Sequence, residues 1–165
     1  LRSLGVNPAR LALSTGVLIS VYSVAAAASA AALGRAARDR RPRSLLIASL
    51  VGGALTVLPM ALVPSFDWLL LFAVLLGLAS GGALTLCYTI GGLRVPSASR
   101  ATAFGLFSSA ALTGGAVSPT IAGALAHWNP RAIYVLDSLV LFALALGLAR
   151  LAPGGPRLRP AAEGR

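Results

Sequence analysis

Uncharged apolar stretches alternate with short polar segments along the whole chain. Each stretch is 18 to 26 residues long, and Asp137 is the single charged residue within the five stretches. At a rise of about 1.5 Å per residue, a helix of this length crosses a hydrocarbon layer of about 30 Å. The pattern therefore predicts an all-α integral membrane protein with five transmembrane helices, at residues 11–33, 45–63, 68–93, 101–126 and 132–149.

The polar segment at residues 34–43 sets the expected orientation. It carries five arginines in ten residues, and short arginine-rich loops are held on the cytoplasmic side of a membrane. Counting spans from this loop places 11 of the 14 arginines on that side. The chain is thus expected to begin outside and to end in the cytoplasm, with residues 152–165 as a disordered cytoplasmic tail.

Composition agrees with a membrane protein and excludes several other classes. Hydrophobic residues make up 57% of the chain and charged residues 11%, whereas soluble domains are about 25% charged. The net charge of +10 lies in loops and tail, so nucleic-acid binding is not expected. One cysteine (Cys87) and one histidine (His127) leave no disulfide framework, metal cluster or catalytic His set, and no phosphate-binding glycine loop occurs. No enzyme activity, metal or cofactor is expected.

Two further features bear on the origin of the chain. It lacks lysine and is rich in alanine and arginine, which is typical of bacteria with GC-rich DNA, and a bacterial inner membrane is the expected location. It also opens without methionine, so we expect it to be part of a longer protein.

The arginine-rich segment resembles the loop signature G-x-x-x-D-R-x-G-R-R of the major facilitator superfamily. Gly34 matches its first glycine, and Arg43 keeps a basic position. Arg38 and Asp39 occupy the Asp-Arg pair in swapped order, and Arg41 replaces the second glycine. Through this resemblance, Arg38 and Asp39 are candidates for a cytoplasmic latch that breaks during transport. The alternative is that their charges only set topology.

The fourth stretch resembles the antiporter signature G-x8-G-x3-G-P-x2-G-G of drug exporters that exchange their substrate for protons. The matching positions hold small residues or proline: Gly105, Gly114, Ser118, Pro119, Ala122 and Gly123. Small residues spaced in this way are expected to share one smooth helix surface, and proline to bend it. The surface is either a rocking contact between the two halves of a transporter or a site of ordinary close helix packing.

The resemblance implies that residues 1–151 are part of a major facilitator domain, as helices eight to twelve of a twelve-helix transporter, or alternatively helices two to six. The remaining helices would then be partners that this chain lacks. In that family two halves rock around a central cavity. The first, third and fourth spans would line the cavity, and the second and fifth would lie at the periphery.

Three side chains inside the spans are candidates for a role in transport. Tyr22 and Tyr88 lie on spans expected to line the cavity, where they either contact substrate or pack against neighbouring helices. Asp137 is the one acid inside a span, and such acids are often functional. It is either linked to proton movement or engaged in a polar contact near the membrane surface.

The favoured function is secondary active transport of a small, partly apolar molecule by alternating access, as proton-coupled efflux. Lipid, the transported molecule and protons would be its partners. The alternative is a membrane sensor or scaffold that keeps the fold without transporting. A half-size unit that pairs with a second copy ranks below both.

Overall fold

Five long α-helices make up the described part of the chain. The computed structural model describes residues 11–39, 41–62 and 65–151. The helices are α1 (Leu11–Asp39), α2 (Pro42–Met60), α3 (Phe66–Arg94), α4 (Arg100–Trp128) and α5 (Pro130–Leu151), with a short 3-10 turn at Ser97–Ser99. The predicted all-α fold and the number of helices are confirmed.

Four of the five helices are long and apolar enough to cross a membrane. These stretches are Ala12–Ala37, Pro42–Met60, Phe66–Arg94 and Arg131–Arg150. Helix α4 has 29 residues, which is ample length, but its glycines, serines and threonines make it less apolar than the other four. The chain is therefore a multi-pass membrane protein, while the crossing of the membrane by α4 stays a prediction.

The connection between α1 and α2 is much shorter than predicted. A loop was expected over residues 34–43, but α1 continues to Asp39 and α2 begins at Pro42. Alanine and arginine both favour helix, and a helix can continue beyond the hydrocarbon layer because its backbone hydrogen bonds are internal. The start of α2 follows from Pro42, since proline is well suited to the first turn of a helix.

Helix α3 is the centre of the helix packing. It packs most extensively against α1, and α2 packs against both α3 and α5. Ala37, Leu46 and Leu86 form a buried apolar cluster where α1, α2 and α3 meet. The contact between α2 and α5 is compatible with the shared peripheral position expected for them, although which faces meet lipid stays a prediction.

Helix α4 lies at the outside of the group. It makes smaller contacts with α3 and α5, and no residue of α4 is buried. Leu112 near its middle is 74% exposed. An apolar helix with this much free surface has room for contacts that the described residues do not supply.

Candidate functional site

Two glycines of α3 allow the backbone of α1 to come very close. A Cβ atom at Gly81 would lie 2.6 Å from both the carbonyl carbon and the Cα of Ala26, a distance that real Cβ atoms do not tolerate. A Cβ at Gly77 would collide with the carbonyl oxygen of Tyr22 and lie 3.0 Å from the Cβ of Ala25. These glycines of α3 thus permit close packing against the alanine-rich α1.

Side-chain hydroxyls connect the same two helices. The hydroxyl groups of Tyr22 and Ser80 lie 2.8 Å apart, and Ser29 donates a hydrogen bond to the carbonyl oxygen of Leu78. Tyr22 therefore has a polar partner on α3, in accord with the packing alternative. A contact between Tyr22 and substrate stays a prediction.

Tyr88 belongs to an aromatic cluster between α3 and α4. Its ring centroid lies 5.9 Å from those of Phe104 and Phe107, edge-on to the latter. Its hydroxyl lies 3.2 Å from that of Ser108. Gly91 makes room for the cluster, since a Cβ there would collide with the Phe107 ring. Tyr88 thus helps to hold α4 against α3, and its substrate role also stays a prediction.

The small residues of the antiporter-like signature do not all lie on one surface of α4. Ser118, Pro119 and Ala122 line a cleft, whereas a Cβ at Gly105, Gly114 or Gly123 would meet no atom within 4 Å. Nine residues are two and a half helical turns, so Gly105 and Gly114 project to opposite sides. The single shared surface expected from the spacing is therefore wrong.

Asp137 lies in the cleft that α4 forms with its neighbours. The cleft has a volume of about 630 Å³, and α2, α3, α4 and α5 all contribute to its lining. Asp137 is exposed, and none of the described residues forms a hydrogen bond or ion pair with its carboxylate. The expected helix–helix polar contact of this region is made instead by its neighbour Ser138, whose hydroxyl donates to the carbonyl oxygen of Ala54 on α2 at 3.0 Å.

Arg43 links the first turn of α2 to the last turn of α5. Its guanidinium donates hydrogen bonds to the carbonyl oxygens of Leu148 and Ala149, the second at 3.2 Å. These carbonyls belong to the last turn of α5, where backbone acceptors lack helical partners. A Cβ at Gly34 would lie 3.5 Å from the Thr85 side chain, an ordinary van der Waals distance. The side chains of Arg38 and Asp39 lie outside the described residues, so the latch stays a prediction.

Four serine residues make polar contacts between helices that the sequence did not lead us to predict. Ser29, Ser80, Ser108 and Ser138 all take part in hydrogen bonds between helices. A serine inside an apolar span is the signal that marks such contacts, because its hydroxyl needs a partner away from water. No group of three His, Cys, Asp or Glu side chains that could hold a metal occurs in residues 11–39, 41–62 and 65–151.

The geometry defines a class of protein: a multi-pass helical membrane protein assembled through small residues and interhelical hydroxyl bonds. Comparison with known proteins identifies the family. The profile described as Major Facilitator Superfamily matches residues 2–165. The chain therefore belongs to the Major Facilitator Superfamily, a family of transporters and not of enzymes.

Two relatives carry the same printed name, "Multidrug resistance protein MdtG". One is from Erwinia billingiae (strain Eb661) and the other from Enterobacter lignolyticus (strain SCF1). Each is 33% identical to this chain over 144 residues, which is 85% of the chain and 34% of the relative. The chain thus spans about a third of the length of these relatives.

Proposed function

We propose that this chain is part of a secondary active transporter that exports small, partly apolar molecules in exchange for protons. The drug-resistance name of two relatives that are 33% identical supports the export of such molecules. The proposal includes helices beyond this chain that complete two rocking halves around a central cavity. The proposed location is a bacterial inner membrane, with the first described residue outside and the end of α5 in the cytoplasm.

The observation that carries the proposal is the free surface of α4. No residue of α4 is buried, and a Cβ at Gly105, Gly114 or Gly123 would meet nothing within 4 Å. Glycines in a membrane helix allow close approach of another helix, yet no described helix uses these three. We assign the free sides of α4 that carry these glycines to contacts with the helices of the other half. Those contacts must slide or rock during alternating access.

Exchange of substrate for protons requires a side chain that binds and releases a proton. Asp137 lies inside α5, beyond its first turn, and intramembrane acids commonly serve in proton relays. We retain Asp137 in that role. Tyr22 and Tyr88 are retained as substrate contacts, although both already have hydroxyl partners on a neighbouring helix.

The test is efflux of ethidium from bacterial cells that express the natural gene. Gly114→Leu places a bulky side chain on the free surface of α4 and is expected to abolish efflux. Gly147→Leu is the matched control, since a Cβ at Gly147 on α5 also meets nothing within 4 Å and this position has no assigned contact with the other half. Both variants are checked for equal amounts in the membrane.

Equal efflux by both variants would contradict the assigned role of the α4 surface. A complete absence of efflux in the unsubstituted protein, for ethidium and for a panel of other apolar compounds, would favour the sensor or scaffold alternative.

A further inference from the structure

Three arginines come together where the start of α2 meets the end of α5. Arg43, in the first turn of α2, donates hydrogen bonds to the carbonyl oxygens of Leu148 and Ala149. Arg41 directly precedes α2, and Arg150, which follows Ala149, lies in the last turn of α5. The contacts of Arg43 therefore bring three positively charged residues to one corner of the helix bundle, which we call the α2–α5 corner.

The positive charge of the α2–α5 corner is not neutralised within the described part of the chain. The side chains of Arg41 and Arg150 are exposed, and neither forms a hydrogen bond or ion pair with a described residue. The described acidic side chains, Asp67 and Asp137, lie in the first turn of α3 and inside α5. Residues 39–43 together with residue 150 contain four arginines and one acid, so the corner keeps a net positive charge.

Exposed aliphatic side chains continue from the corner along both helices. On α5, Leu139 and Leu146 are more than half exposed, and they share a face with Arg150 because all three are spaced by nearly whole helical turns. On α2, Leu55 and Leu58 are also exposed. Contacts between membrane helices favour small residues, so these large side chains are better suited to acyl chains than to another helix.

We propose that the α2–α5 corner binds an anionic phospholipid, with its phosphate held by Arg41 and Arg150 and its acyl chains along the exposed leucines. Guanidinium groups donate paired hydrogen bonds to phosphate oxygens, and basic sites at the ends of membrane helices attract anionic headgroups. A zwitterionic lipid would bring a further positive charge to the corner, and a soluble phosphate would leave the leucines without a partner. The site goes beyond the proposed export function and does not depend on it.

The experiment compares the affinity of the corner for phosphatidylglycerol and for phosphatidylcholine. The purified natural gene product carries Leu146→Trp as its one tryptophan, the others being changed to phenylalanine, and is reconstituted in mixtures of the two lipids. Quenching by the lipid that is brominated reports which one lies beside position 146. Because one arginine at a membrane surface changes the binding of an anionic lipid by about fivefold, phosphatidylglycerol should be preferred by about fivefold or more. Arg41→Ala/Arg150→Ala should abolish this preference.

Arg94→Ala/Arg100→Ala is the matched control. It removes the same charge from two exposed arginines of α3 and α4, outside the corner, and should leave the preference at Leu146→Trp unchanged. A form that keeps only Trp68, in the first turn of α3, should show no preference. Each variant must elute as a single species on size exclusion and unfold at a temperature close to that of the unsubstituted protein.

Equal affinity for the two lipids at Leu146→Trp would overturn the proposal, as would the same loss of preference in both double variants. Suppression of the preference by soluble glycerol phosphate, but not by sodium chloride of the same ionic strength, would also overturn it and assign the corner to a soluble phosphate ester. Loss of preference in Arg41→Ala/Arg150→Ala alone supports the lipid site, whether or not the protein exports ethidium.

Discussion

Gly81 of α3 is the position where a single methyl group should disturb the fold most. Gly81→Ala would place a Cβ 2.6 Å from two backbone atoms of Ala26 on α1. Backbone atoms cannot rotate away as a flexible side chain can, so α1 and α3 would have to separate along their contact. That movement would also stretch the nearby Tyr22–Ser80 hydroxyl pair.

The expected magnitude follows from two opposing effects. Overpacking costs about 1–3 kcal/mol, and the upper end applies because the atoms met are backbone. Replacing glycine by alanine in a helix returns about 1 kcal/mol. The net loss in the free energy of unfolding is then about 2 kcal/mol, or roughly 30-fold in the folding equilibrium.

Gly82 and Gly52 provide graded controls. A Cβ at Gly82 would meet mainly the end of the Leu33 side chain, so Gly82→Ala should cost less and should be relieved by shortening Leu33 to alanine. A Cβ at Gly52 meets nothing within 4 Å, so Gly52→Ala should be neutral or slightly stabilising. Equilibrium unfolding of the purified variants in mixed detergent micelles measures all three. If Gly81→Ala is as stable as Gly52→Ala, the close approach of α1 and α3 is refuted.

Two other predictions concern the ends of the helices. Arg43→Ala should lower the free energy of unfolding by about 1–2 kcal/mol, because the last carbonyls of α5 lose a charged donor. Arg41→Ala, at an exposed neighbouring position, should have no effect in the same unfolding measurement. Equal loss in both variants would contradict the role of Arg43. A green fluorescent protein fused after residue 165 should fluoresce, and alkaline phosphatase fused at the same place should be inactive, because the arginine distribution predicts a cytoplasmic position for this residue. The reverse pattern would contradict the proposed orientation.

Periodicity and charge were enough to predict the helices but not all of their ends. The apolar stretch 11–33 is the part of α1 expected to meet hydrocarbon, whereas the helix itself runs to Asp39. Charge indicates the edge of the membrane, and a helix ends only where its backbone geometry changes. Pro42 marks such a change, and α2 begins there.

Contacts between distant segments could not be predicted in the same way. Gly77 and Gly81 indicate that another helix packs closely against α3. Nothing in the sequence around them identifies the backbone of Tyr22 and Ala26 as that neighbour. Arg43 was interpreted through its own loop, while its partners lie more than 100 residues later on α5. Asp137 was expected near the membrane surface, and its sequence position does not indicate the cleft around it, which forms because α4 packs loosely against α3 and α5.

The central claim is that the protein to which this chain belongs moves small molecules across a membrane in exchange for protons. The most direct measurement uses the purified natural gene product in liposomes, with ethidium outside and an acidic lumen. The account predicts that ethidium accumulates inside, that a protonophore abolishes the accumulation, and that Gly147→Leu accumulates it while Gly114→Leu does not. Accumulation no greater than in protein-free liposomes, for ethidium and for other apolar compounds, would contradict it.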